Sequence, residues 1–290
     1  MNDSLRQAAI ALYDRFTHEG MERRDFMRRM VALAGSAAAA EALVGAIAAS
    51  PAAAAIVPEG DRRLTTETVT LVPGRLDSYA ARRRGAANPA GPAVLVIHEN
   101  RGLNAHIKDI ARRLALAGFD AFAPDFLTPV GGTPGDSDAA REAIGKLDLD
   151  AAVADAVAAL QTLATRGRFD GTVGAIGFCW GGAFVNRLAV AAGDRLDAGV
   201  VYYGPAPAPG EAARVQAPLL IHHAGLDTRV AQTLWPWVHA LRAAGKRVTY
   251  FDYEGANHAF NNDSSAERYD AAAAQLAWRR TLRFLRRHLQ

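Results

Sequence analysis

The sequence predicts an α/β fold: a mostly parallel central sheet with helices on both faces. Three observations point there. Short, continuous apolar runs such as AVLVIHE (93–99) and TVGAIGF (172–178) read as strands covered on both sides. Segments with the apolar spacing of helices fall between those runs. The two patterns alternate along the chain instead of segregating, as in the βα units that build a parallel sheet.

The elements follow in order. From residue 65, TTETVTLVPGRLDSYAARR alternates polar and apolar around Pro73-Gly74 and predicts an antiparallel hairpin. After strand 93–99, residues 105–117 read as a helix closed by Gly118. DAFAPD (120–125) is a short strand, and TPVGGTPGDSD (128–138) is a loop rich in glycine and proline. Residues 148–165 predict an amphipathic helix with Leu149, Val153, Val157 and Leu160 on one face. Strand 172–178 runs into helix 181–193. LDAGVVYYG (196–204), APLLIHHAG (217–225) and RVTYFDYEG (247–255) are further strands, with helices at 231–244 and 266–289.

The length of 290 residues suits one enzyme-sized domain with room for a sizeable core. Basic residues number 33 and acidic ones 30, a net charge of +3, with no basic run in the main body, so no nucleic-acid partner is expected. A single cysteine excludes an intramolecular disulfide framework.

The first residues stand apart. Residues 4–16 have helical spacing, through Leu5, Ala9, Leu12, Tyr13 and Phe16. Arg23, Arg24, Asp25, Phe26 and Met27 then resemble a twin-arginine export signal. A weakly hydrophobic alanine-rich stretch (31–50) follows, and Ala53 and Ala55 fit a cleavage site. Residues 1–56 are therefore expected to be a leader and 57–290 the folded domain. The expected partner is the twin-arginine machinery, the destination the periplasm, and no stable membrane span is expected because Glu41 interrupts the stretch. The other reading is a retained helical segment packed on the body.

The lone cysteine sits in GFCWGG, where Gly177, Cys179 and Gly181 make a G-x-C-x-G corner between a predicted strand and a predicted helix. This is a nucleophile elbow with cysteine in place of serine. The tight turn strains the central residue and leaves no room for side chains two positions away. The helix start favours a thiolate, and the N–H of Trp180 faces a developing oxyanion. Asp227 and His258 follow on successive strand ends, in the order nucleophile, acid, histidine. His258 takes the thiol proton, and Asp227 orients the imidazole. His98 reads as a core histidine. His222 and His223 point to opposite faces of one strand, so no metal is expected.

Cys179 in GFCWGG, Asp227 in HHAGLDTRV and His258 in GANHAF resemble the dienelactone hydrolase family of α/β-hydrolases, from about residue 66 onward. The resemblance implies an α/β-hydrolase fold, no cofactor, and a glutamate, here Glu99, that contacts the resting thiol. It also implies a second oxyanion N–H, here from Asn100, and a pocket wall at Tyr202 and Tyr203. The family's two substrate-carboxylate arginines are missing. Phe126-Leu127-Thr128 and Ala259-Phe260-Asn261-Asn262 stand in their places, leaving Arg101 or Arg229 as substitutes. The expected activity is hydrolysis of a carboxylic ester or lactone through an acyl-thioester. The alternatives are a general esterase or thioesterase that does not act on dienelactone, and a non-catalytic binding protein of the same fold.

Overall fold

The computed structural model of the chain describes residues 3–48, 55–85, 91–165 and 171–290. The N-terminal region folds into α1 (Asp3–His18), α2 (Arg23–Ala34) and α3 (Ala37–Ile47). The body opens with the hairpin β1 (Leu64–Val72) and β2 (Leu76–Arg83), then β3 (Ala93–Ile97), α4 (Ala105–Leu116) and β4 (Asp120–Asp125). Next come α5 (Ser137–Gly145), α6 (Leu149–Thr165), β5 (Val173–Phe178), α7 (Trp180–Ala191) and β6 (Ala198–Tyr202). The chain finishes with β7 (Leu219–Ala224), α8 (Thr228–Ala243), β8 (Val248–Tyr253) and α9 (Ala271–Leu289).

Among the described residues the sheet runs β1-β2-β4-β3-β5-β6-β7-β8. The hairpin pairs antiparallel, and β2 joins β4 antiparallel. The remaining pairings, from β4 through β3 to β8, are parallel. Alternate strand residues feed two cores. Leu95 and Ile97 face α6, α7 and α8, while Val94 and Val96 face α4 and α9. The predicted α/β architecture, with helices on both faces, is therefore the observed one.

One local expectation is corrected. Residues 137–145, read partly as loop, form α5, because the Asp136 carboxylate caps it by accepting from the N–H groups of Asp138 and Ala139. In α6 the fully buried stripe is Ala152, Ala156, Ala159, Leu160 and Leu163. Leu149, Val153 and Val157 are only partly buried and flank it. The alanines let α6 approach the sheet closely.

Helices α1–α3 build a separate apolar cluster. Phe16 stacks on Phe26 with ring centroids 4.3 Å apart, and Ile10, Met30, Leu43 and Ile47 fill the space around them. Arg23 opens α2 and pairs with Asp138 of α5, while Phe26 and Met30 are buried. The segment docks on the body through polar ties. Ile47 carbonyl oxygen accepts from Ser265 Oγ (2.6 Å) and Arg268 Nε (3.1 Å), and Arg6 pairs with Glu267 at 2.7 Å. No single described helix is long and apolar enough to cross a membrane; α2 and α3 would pass by length and composition only as a pair bent by 107°. Ala53, half of the expected cleavage site, lies outside the described residues.

Candidate active site

Strand β5 ends at Phe178 and α7 begins at Trp180, so Cys179 alone makes the turn, with φ 56° and ψ −113°. The glycines are needed for space. A Cβ on Gly177 would lie 2.0 Å from the carbonyl oxygen of Gly181, and one on Gly181 would lie 2.4 Å from that of Ile97. The corner is pinned by Cys179 N–H donating to Tyr202 carbonyl oxygen (3.0 Å), and by Ala183 N–H donating to Cys179 carbonyl oxygen (3.0 Å). The N–H of Trp180 belongs to the first turn of α7, whose N–H groups have no acceptor within the helix.

Asp227 follows β7 and caps α8, its Oδ1 accepting from Val230 N–H at 3.0 Å. Its Oδ2 accepts from His258 Nδ1 at 2.5 Å. Burial works against ionisation of this carboxyl. The His258 cation, its hydrogen bond and the Val230 N–H outweigh that and hold Asp227 far below the usual carboxylate range. Burial likewise opposes a charged His258, but once Cys179 is ionised its thiolate and Asp227 together push the imidazole up to about 10. His258 Nε2 is buried with no hydrogen bond of its own. A ring nitrogen of His258, one of His18 and Cys179 Sγ all lie within 4.8 Å of one another.

The sulfur lies on the wall of a cavity of about 340 Å³. Glu99, Asn100, Arg101 and His258 line it, and so do Tyr13, Thr17 and His18 of α1 and Arg268 of the loop before α9. Glu99 reaches the rim as expected, but its carboxylate accepts from Asn262 Nδ2 at 2.9 Å. The hydrogen bond of the thiol goes instead to His18 Nε2 at 3.1 Å. Arg101 is tied to Asp138 (2.9 Å), the Ser137 carbonyl oxygen (2.7 Å) and Tyr13 hydroxyl (3.2 Å), so it braces the rim.

Three expected substrate contacts are corrected. Tyr202 does not line the cavity, because its ring is fully buried in the core between the sheet, α4 and α9. Its hydroxyl meets Thr281 Oγ1 of α9 at 2.8 Å. Arg229 is also absent from the cavity wall, since it lies on α8, beyond the Asp227 cap. Tyr203 follows β6 and is also absent from the cavity wall; its ring centroid lies 5.0 Å from that of His258, and its buried hydroxyl is unpartnered. His98 is a core histidine, stacked on Trp180 and bonded to the Glu99 carbonyl oxygen at 2.7 Å. His222 meets Tyr253 and Thr281, while His223 on the other face meets Asp252 and the Asp227 carbonyl oxygen. The cluster of described residues spaced to hold a metal ion is His18, Cys179 and His258.

His18 and Arg268 were missed by sequence reasoning. His18 fell in the stretch assigned to a leader. Arg268 lies ten residues past His258 in a loop with no motif.

A cysteine elbow and an Asp–His pair at the carboxyl ends of a mostly parallel sheet define an α/β-hydrolase. The dienelactone hydrolase family model matches residues 76–289, and the chain belongs to that family. It is similar to a protein of Escherichia coli O157:H7 described as "Putative carboxymethylenebutenolidase", 33% identical over 259 residues, covering 83% of this chain and 94% of the relative. Among solved structures, a Klebsiella pneumoniae protein titled "Putative Dienelactone Hydrolase" superposes with TM-score 0.70 at 27% identity, covering 77% of this chain and 98% of that one. The dienelactone hydrolase-like promiscuous phosphotriesterase P91, from metagenomic libraries, gives 0.66 at 28%, covering 79% and 100%. Residue 18 lies outside the family match, and both solved chains are matched almost entirely while about a fifth of this one is left over. The family is one of hydrolases, and this chain is a hydrolase.

Proposed function

We propose that the protein hydrolyses carboxylic esters or lactones through an acyl-thioester on Cys179. The observation that supports this most is the 2.5 Å bond between His258 and Asp227 beside a cysteine at a strained elbow. In the reaction the thiol proton passes to His258, and the thiolate attacks the substrate carbonyl. The N–H groups of Asn100 and Trp180 receive the developing oxyanion. His258 gives its proton to the leaving alkoxide as the C–O bond breaks. Water then attacks the thioester with its proton going to His258; the C–S bond breaks, returning the thiol and releasing the acid. A lactone favours this route because its leaving alcohol stays tethered to the acyl group.

The substrate is read as an ester or lactone in general. Segments 126–128 and 259–262 carry no arginine, which favours a broad esterase over an enzyme devoted to dienelactone. Arg268 supplies the buried cation on the cavity wall, paired with Asp14 at 3.4 Å.

Turnover of p-nitrophenyl acetate and of a dienelactone by the full chain, beside Cys179→Ala, tests the reading. The native protein hydrolyses at least one, and the variant loses about a thousandfold or more. Equal rates for the two proteins sink it.

A further inference from the structure

We propose that His18 of the N-terminal helix α1 is a further residue of the catalytic centre, accepting the Cys179 thiol proton in a hydrogen bond that holds the nucleophile protonated between turnovers. The inference rests on Cys179 being the nucleophile, and it adds a group from outside the family-matched residues 76–289.

The direction of the hydrogen bond follows from the other side of the ring. His18 Nδ1 lies 2.8 Å from the Asp14 carbonyl oxygen, which can only accept, so Nδ1 carries a hydrogen. Thr17 Oγ1, 3.0 Å from the same nitrogen, has its own acceptor in the Tyr13 carbonyl oxygen at 3.0 Å. Burial above all, with the charges of Arg229 and Arg268, pushes the His18 imidazole well below its ordinary value, so the ring is neutral near pH 7. A neutral ring protonated at Nδ1 presents a bare lone pair at Nε2. Cys179 Sγ lies 3.1 Å from that lone pair, so the bond runs from S–H to Nε2. A hydrogen bond to the neutral form opposes ionisation.

The sulfur therefore sits between two imidazoles with opposite effects, their ring centroids 4.8 Å apart. His258, backed by Asp227, stabilises the thiolate. His18 stabilises the thiol. One proton is at issue. It stays on sulfur while the His18 bond is made, and moves to His258 when the sulfur turns there. Around the thiol, His18 comes from α1, Glu99 from the end of β3, Tyr203 from the end of β6, and His258 and Arg268 from the segment between β8 and α9. His18 is held in place by the docked segment. Asn100 Nδ2 donates to the Thr17 carbonyl oxygen at 3.1 Å, one residue from the histidine. A substrate filling the cavity lined by Tyr13, Thr17 and His18 reaches the sulfur by displacing this bond.

The test is the pH dependence of iodoacetamide alkylation of the full chain, native beside His18→Phe and His18→Gln. Each rate is divided by the same protein's rate at its alkaline plateau, which removes differences in access. The expected result is a ratio at pH 6 about five- to tenfold higher in each variant that retains native ellipticity, the size of one lost hydrogen bond. An unchanged or lower ratio overturns the proposal. Thiolate absorbance of the native protein gives an arm that needs no variant: an S–H species at pH 7 is expected, and a fully formed thiolate at pH 7 overturns it. Neither readout uses ester turnover. Failure here leaves the hydrolase reading standing, and the Cys179→Ala comparison fails separately.

Discussion

The body and the N-terminal helices bring residues to the same sulfur by different means. In the body, Cys179, Asp227 and Glu99 follow the ends of neighbouring parallel strands, so the sheet register itself sets their spacing. The N-terminal segment has no strand in that sheet. It brings His18 to Cys179, 161 residues away, through an apolar cluster of its own and a few side-chain bonds to Ile47 and Thr17 carbonyl oxygens. The body's contribution is built into the sheet, whereas the segment's rests on contacts outside it.

The largest effect expected beyond loss of the nucleophile lies in the body. Asp227→Asn removes the charge that supports His258 and leaves the imidazole in the wrong tautomer, so kcat is expected to fall by about a hundredfold or more. The alkaline limb of stability should change with it. Asp227 raises His258 above its unfolded value of 6.5, and the Cys179 thiolate carries it to about 10 once formed, so its contribution is complete below 6.5 and is lost as pH rises through the raised value. Thermal melts between pH 6 and 10 should show that decline in the native protein and a shallower one in Asp227→Asn. Equal slopes would mean that the Asp–His pair contributes no coupling.

A smaller effect separates the two regions. Arg268→Gln removes the Nε donation to Ile47 and the pairing with Asp14, at a cost to segment docking of about 1–3 kcal/mol. Hydrogen exchange should speed across α1–α3 and stay unchanged in β3 to β7. Uniform speeding would show one cooperative unit.

The smallest is an acid effect. His18 is depressed below 6.5, so its contribution is present above 6.5 and falls away as pH drops below it, where only the undocked ring takes up a proton. Protection of α1, corrected for intrinsic exchange, should fall between pH 7.5 and 5, and His18→Gln should flatten that dependence.

How much was legible in the sequence divides along the same line. The buried strands, the elbow, and Asp227 and His258 could be read because each depends on a local pattern: an apolar run, flanking glycines, a strand end. Tyr202 and Tyr203 are both fully buried in one core cluster beneath the site, and nothing local in the YYG stretch reports that depth. His18 was out of reach for a different reason. Its helix carries an ordinary amphipathic pattern, the next segment resembles an export signal, and nothing local says that residue 18 meets residue 179. N-terminal sequencing of protein from the native host separates the two readings of that segment. Retention of residues 3–47 keeps His18 at the thiol, whereas a start near residue 56 gives a working form without it.

The most direct test of the central claim is intact-mass spectrometry during turnover of p-nitrophenyl acetate, followed by peptide mapping. A transient acetyl adduct on Cys179 should build up, decay with hydrolysis and be missing in Cys179→Ala. Turnover with no adduct on Cys179, or with the adduct on another residue, would contradict it.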